Sequence, residues 1–426
     1  MRWKIFAGLV LIVVIACLAI SVGAFRRSTV APDLEAQLTP ERMAELAPRG
    51  RELALAGDCF GCHSKAEGPI GAGGQPIGTP FGTIYSSNIT PDMAHGIGGM
   101  SRLEFHRVIR DGIGRDGQNL YPAMPYMFTQ ITTPEDIDAL YAYLMTLPPV
   151  NMEPPANTGI FQFPVRWGMN FWALLNFPER HAPNDPSRGE AWNRGAYLVE
   201  GLGHCGACHT PMNFMMGYEF DRSLQGAVIE GLEAPPLTSA ALTSRGFDVG
   251  TLTDFLATGI APQGTSFGGM HTVTHFSTSA MERKDVEAIA TYLLTGPDGK
   301  VPPPAPPPAP LPVASGELAP GRVTYVSVCS GCHGVDGEGI PNVAPAMRGN
   351  STLALADPLN LLSVIVNGVP TQSFTGNQRM YAMPPFAHRL EDEDIAELAT
   401  WLRAEWGGQA TPVTAAQVSA IERAVD

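Results

Sequence analysis

The chain has 426 residues, 44% of them hydrophobic and 16% charged, with a formal net charge of −14. That length exceeds one ordinary core and predicts several domains, and the composition is globular rather than disordered. The acidic balance and the absence of any Lys/Arg cluster exclude a phosphate-binding face for nucleic acid and electrostatic docking on anionic lipid.

The first element is an uncharged run from Ile5 to Phe25. As a helix it would be about 31 Å long, enough to cross a bilayer core. Arg2 and Lys4 precede it and Arg26 and Arg27 follow, so positive charge does not set its orientation. Residues 1–27 therefore read as a transmembrane anchor or as a signal segment cleaved after Val22-Gly23-Ala24. Cys17, within the run, is followed by apolar and small residues and does not read as a lipidation site.

From residue 45 the chain repeats itself, over 45–150, 188–300 and 316–408. Each repeat opens on a glycine-containing apolar segment: "RGRELALAGD", "RGAYLVEGLGH" and "PGRVTYVSV". Each then carries Cys-x-x-Cys-His: Cys59, Cys62 and His63; Cys205, Cys208 and His209; Cys329, Cys332 and His333. A helical stretch follows, ending at Gly112, Gly259 and Gly368, where a left-handed C-cap suits glycine. Next comes a methionine in a Gly/Pro-rich loop, Met124, Met270 and Met383, and then an acid-led closing helix. The closing helices place Ile137, Leu140 and Leu144; Val286, Ile289 and Leu293; and Ile395, Leu398 and Leu402 on one stripe. Tyr143, Tyr292 and Trp401 stand at matching places beside the last leucine.

The joints differ from the repeats. Residues 151–187 form a Pro-rich connector with a crowded aromatic centre, Trp167, Phe171, Trp172, Leu174, Leu175 and Phe177. It reads either as a strap joining repeats one and two or as an apolar surface for a subunit, a membrane interface or a quinone. Residues 301–315 are a polyproline II spacer, with a reach of about 37 Å over 301–312 at 3.1 Å per residue, expected to separate the third repeat from the first two. Residues 409–426 are a C-terminal tail.

Two thiols three positions apart on one turn can each bond a different vinyl group of one porphyrin, and the following imidazole then faces the iron. Cys-x-x-Cys-His is the signature of c-type haem attachment. A zinc site would need further ligands at its own spacing, and a redox dithiol would need no histidine three times over. Met124 lies 61 positions after His63, Met270 61 after His209, and Met383 50 after His333. Their common place between a glycine-capped helix and the closing helix makes them the expected sixth ligands, a set that raises the potential and fills both axial positions. The remaining histidines, His95, His106, His181, His204 and His388, read as structural hydrogen-bonding groups. No catalytic constellation appears: Gly96, Gly98 and Gly99 lack a βαβ frame, and there is no G-x-S-x-G.

With "GTIYSSNITPDMAHGIGG", "LYPAMPY", "DALYAYL", "NRGAYLVEGLGHCGACHTP" and "MPPF", the chain resembles the trihaem cytochrome c subunit of bacterial membrane-bound, quinone-reducing dehydrogenases for alcohols, gluconate, sorbitol, fructose or aldehydes. The resemblance covers about residues 45–408. It implies a mainly α fold of three tandem class I cytochrome c-like domains. It further implies three covalently bound haem c groups, with the six motif cysteines as anchors, His63, His209 and His333 as proximal ligands and Met124, Met270 and Met383 as distal ligands. It also implies a catalytic partner subunit (quinoprotein, flavoprotein or molybdoprotein), room for a small subunit, and ubiquinone as acceptor at the inner membrane, the haem domains facing the periplasm. Met212 stands where many members have arginine. The competing reading is a freestanding multihaem carrier serving a terminal oxidase; a haem peroxidase would need one open axial position.

Overall fold

Helix starts follow the local sequence. Before the helix Pro40–Ala56, the Thr39 hydroxyl accepts the Arg42 N–H and proline occupies the first turn. The closing helix Pro134–Leu144 is capped the same way by Thr133, which accepts the Asp136 N–H at 3.2 Å. Ser101 and Glu104 form a reciprocal capping box on Arg102–Asp111, as do Asp248 and Thr251 on Val249–Thr258. In the computed structural model, which describes residues 2–21, 30, 34, 36–65, 67–163, 165–311 and 319–423, the chain is mainly helical.

Each repeat has an opening helix, a short helical turn at the motif, a middle helix and a closing helix. The opening helices are Pro40–Ala56, Gly189–Glu200 and Ala319–Thr324; the closing ones are Pro134–Leu144, Arg283–Leu294 and Asp392–Trp406. The two cross at a glycine. A Cβ on Gly50 would overlap the backbone carbonyl of Ala139, one on Gly195 that of Ala288, and one on Gly321 that of Glu397. The neighbouring Cβ atoms at these crossings belong to Tyr143, Tyr292 and Trp401, so the matched aromatics mark where two helices touch. Two crossings carry an ion pair as well: Arg49 with Asp136, and Arg194 with Asp285 at 2.6 Å.

The expected apolar stripes are inside. Ile137, Leu140 and Leu144, then Val286, Ile289 and Leu293, then Ile395, Leu398 and Leu402 are all buried. Gly112, Gly259 and Gly368 end the middle helices at φ 61°, 77° and 74°. A second repeat-matched bond ties the loop after each of the first two middle helices: Thr129 Oγ1 donates to the Ile109 carbonyl and Thr278 Oγ1 to that of Leu256.

Short antiparallel hairpins, not anticipated from the sequence, complete the described residues: Pro76–Thr79 with Gly82–Tyr85, Ala227–Ile229 with Leu232–Ala234, Ile260–Ala261 with Gly264–Thr265, and Gln372–Ser373 with Arg379–Met380.

The chain divides into two compact units. Unit one holds residues 1–184, 196–207 and 212–218; unit two holds 185–195, 208–211 and 219–426. In unit one the connector is split in character. Trp172 is buried and its indole N–H donates to the Met215 carbonyl at 2.8 Å, whereas Trp167, Leu174 and Leu175 are exposed. In unit two the polyproline segment is not an isolated spacer. The Ala305 N–H donates to the Thr243 carbonyl and the Leu311 N–H to that of Ala404, which pins it to repeats two and three and corrects the expected separation. The rest of that spacer, 312–315, lies outside the described residues.

The N-terminal apolar run does form one helix, Arg2–Ser21. Among the described residues, however, no helix is long and apolar enough to cross a membrane. The proposed cleavage site Val22-Gly23-Ala24 and the flanking Arg26 and Arg27 lie outside the described residues.

Candidate functional site

The three motifs fold as helical turns: Cys59–His63, Gly206–His209 and Ser330–His333. The third is entered through a π-helical turn, Tyr325–Cys329, whose Tyr325 is fully buried and donates its hydroxyl to the Gly334 carbonyl at 2.6 Å. Around it stand the rings of Trp401 and Trp406. In the first motif Phe60 meets Tyr143 edge-on at 6.3 Å. Cys208 and His209 belong to unit two and Cys205 to unit one.

Each motif histidine is oriented by a backbone carbonyl. His63 Nδ1 lies 2.7 Å from the Ser87 oxygen, His209 Nδ1 2.7 Å from that of Pro235, and His333 Nδ1 2.9 Å from that of Pro345. A carbonyl only accepts, so Nδ1 carries the proton and Nε2 keeps its lone pair, the tautomer that a metal ligand needs. Burial pushes all three imidazoles below the usual histidine value, His209 to about 4. Arg245 adds to the shift at His209; this guanidinium is itself held down to about 10 by burial and donates to the carbonyls of Ala241 and Pro236. All three rings are therefore neutral at pH 7, with nitrogen available for iron.

The first cysteines of motifs one and three point the same way. Burial, with Asp58 and Cys62 adding, pushes Cys59 up to about 12, and burial with Cys332 pushes Cys329 to about 11. A redox dithiol or a zinc thiolate calls for the opposite shift. Among the described residues no three His, Cys, Asp or Glu side chains converge on one point. One neutral imidazole and two cysteines on a single turn fit covalent attachment of a porphyrin, so the residues present suit haem c.

The methionines fall in two classes. Met124 packs with Cys59 and Phe60 on the core of repeat one, around Leu46, Phe105, Ile137 and Leu140. Met383 packs with Cys329 on the core of repeat three, around Tyr325, Leu361 and Trp401. Its backbone is fixed by a two-way bridge to Val369, 2.9 Å in each direction. Met270 departs from the loop expected for it: it stands in the first turn of a helix, Gly269–Phe276, half-buried. Beside it His271 stacks on His275 at 5.6 Å and meets the Phe374 ring edge-on, with a buried Nδ1 that has no hydrogen-bond partner.

The sequence did not reveal several groups now seen in these sites. The acceptors of Ser87, Pro235 and Pro345 are main-chain oxygens, which carry no side-chain signature. Asp58 and His204, each one residue before a first cysteine, both have left-handed backbones, φ 45° and 33°. Among the histidines expected to be structural, His106 is fully buried and its Nε2 bonds Asp138 at 2.9 Å.

Comparison with known proteins fits these features. The cytochrome c family model matches residues 47–148, and that of cytochrome c oxidase, cbb3-type, subunit III matches 316–402. The cytochrome c subunit of alcohol dehydrogenase (quinone) from Gluconacetobacter polyoxogenes is 36% identical over 402 residues, covering 89% of this chain and 85% of the relative. The gluconate 2-dehydrogenase cytochrome c subunit of Pantoea cypripedii is 35% identical over 397 residues, covering 89% and 90%. A nicotinate dehydrogenase subunit of Pseudomonas putida is 40% identical over 367 residues, 84% of this chain, but the chain spans only 30% of that longer relative. With its carbonyl-oriented motif histidines and this shared length, the chain belongs to the family of haem c-bearing cytochrome c subunits of dehydrogenases.

Proposed function

We propose that the chain is the electron-carrying subunit of a dehydrogenase complex, with three haem c groups held by the cysteine pairs 59/62, 205/208 and 329/332. The observation that carries this reading is the Nδ1-to-carbonyl bond made by His63, His209 and His333, repeated in all three motifs. Bound haem supplies a one-electron iron couple. The chain's own residues would hold it: the Nε2 atoms of His63, His209 and His333 and the thioethers of Met124, Met270 and Met383 would be its iron donors. A thioether beside the iron would favour its ferrous state, and a histidine and a methionine on one iron would suit electron transfer rather than turnover of a substrate.

The electrons come from a catalytic partner subunit and pass to ubiquinone at the inner membrane, from the periplasmic side. Membrane attachment is supported by the helix Arg2–Ser21, on which Leu9, Leu11, Ile12, Val13 and Ile15 are all exposed. The test has two parts. A pyridine haemochrome assay on protein from a host competent in cytochrome maturation is expected to give three haems per chain; fewer would end the three-haem reading. The complex purified in detergent is expected to reduce a ubiquinone analogue; a cytochrome that runs alone and reduces none would favour a freestanding carrier.

A further inference from the structure

The Pro235 carbonyl that orients His209 is followed in the chain by a second main-chain oxygen with a charged donor. Arg245 Nη2 donates to the Pro236 carbonyl at 2.6 Å, and its Nε donates to the Ala241 carbonyl at 3.0 Å. His209, Pro235, Pro236, Ala241 and Arg245 all belong to unit two. The guanidinium is therefore held by two uncharged acceptors, one residue along from the bond that fixes the imidazole.

Arg245 is half-buried. Among the described residues no carboxylate pairs with it, and its Nη1 has no hydrogen-bond partner. Glu233 acts on it electrostatically, but burial raises the Glu233 carboxyl toward its neutral form, and the buried Oε2 of that side chain has no partner either. A cation drawn out of water is costly unless an anion accompanies it. The charge is also felt at the His209 ring, where it adds to burial in disfavouring the imidazolium.

The third motif, in the same unit, has a neutral group at the matching place. The carbonyl after that of Pro345 belongs to Ala346, and it accepts the Asn350 amide Nδ2 at 3.1 Å. Arg348, close by in sequence, is exposed and donates to the Asp336 carbonyl at 2.7 Å, where water and salt screen its charge.

We propose that Arg245 is a fixed positive charge of the second haem site: it pairs with a propionate carboxylate of that haem and raises the potential of its iron, a device that the third site lacks. Reduction removes one positive charge from an iron, so a cation held nearby favours the ferrous state. This inference rests on the haem reading proposed above.

The test uses the full chain with its haems attached. Arg245→Gln and Arg245→Met remove the charge, whereas Arg245→Lys keeps it and loses the fork of donors. In a potentiometric titration the two neutral variants are expected to lower one of three midpoint potentials, by about a tenfold loss of preference for the ferrous state, or ~59 mV for one electron. Arg245→Lys is expected to stay close to wild type. The resonance Raman propionate-bending mode should move in the neutral variants alone. Loss of one haem in both neutral variants, with three kept in Arg245→Lys, would be the extreme form of the same result. A lysine variant that shifts or loses haem as much as the neutral pair, potentials that do not move, or an unmoved propionate mode would overturn the proposal. A haem count below three in the wild-type chain would instead overturn the haem reading.

Discussion

Asp58 occupies in the first motif the place that His204 holds in the second, with a left-handed backbone and a buried Oδ1 that has no hydrogen-bond partner. Burial raises its carboxyl from 3.8 to about 7, against a lowering bond from the Gly61 backbone. A carboxyl raised on folding stabilises the fold when protonated. Its contribution is complete below about pH 4 and is lost as pH rises through about 7, a ceiling of roughly 4 kcal/mol. Asp58→Asn, neutral throughout, is therefore expected to hold its melting temperature between pH 5 and 8 while wild type falls. Parallel profiles would show that the native carboxyl is already ionised at pH 5. The ligands carry a second prediction at this scale. If Met270 is a ligand, Met270→Ala is expected to remove part of the ferric absorbance band that Met ligation produces, with the haem content per chain unchanged. An intact band would exclude Met270 and point to its neighbour His271. At this scale the three Cys-x-x-Cys-His motifs were legible because their spacing is fixed and repeated, and each folds as one short turn. The strained residues beside them were not, because a left-handed Asp or His looks like any other in a sequence.

The closing helices were the most legible elements, since an apolar stripe at helical spacing buries itself against one partner. The glycine that receives each helix was legible only in part: Gly50, Gly195 and Gly321 sit in the matched opening segments, but nothing in their spacing says that a backbone passes across them. That contact gives a prediction. Gly50→Ala places a Cβ against the Ala139 carbonyl, a backbone atom that cannot swing aside. The overpacking cost is about 3 kcal/mol, outweighing the gain in helix propensity of roughly 1 kcal/mol. Gly168→Ala is the control, because its Cβ would meet nothing within 4 Å and its φ is −63°. Chemical denaturation should show a clear loss for the first and little change for the second; equal effects would mean that the helices separate easily at this crossing. The small hairpins escaped the sequence reading for a simple reason. Strands of two to four residues, rich in glycine, show no alternation of apolar and polar positions.

The proline run suggested a third repeat held at a distance, because composition describes a spacer's stiffness and not what its ends touch. In unit two the outcome is a joint built from side chains. Asn360 Oδ1 accepts the Glu233 N–H at 2.7 Å and Asn360 Nδ2 donates to the Glu233 carbonyl at 2.8 Å, the pairing that a neighbouring strand would make. The Ser351 N–H donates to the Gln263 carbonyl at 2.8 Å, and Phe374 stands against both Gly259 and the His271 ring. Asn360 is 5% exposed, so its removal leaves two backbone groups without partners away from water. At about 1–3 kcal/mol each, that loss is large beside the stability of a small domain. Repeats two and three should therefore melt in one calorimetric transition in wild type, and Asn360→Ala should broaden or split it, the third repeat separating from the second. Asn360→Asp should act at least as strongly, because it keeps the acceptor but sets an anion beside the Glu233 carbonyl. If both variants leave the transition as narrow and as high as in wild type, the joint is not what makes these repeats unfold together, and the coupling must reside in the pinned proline segment.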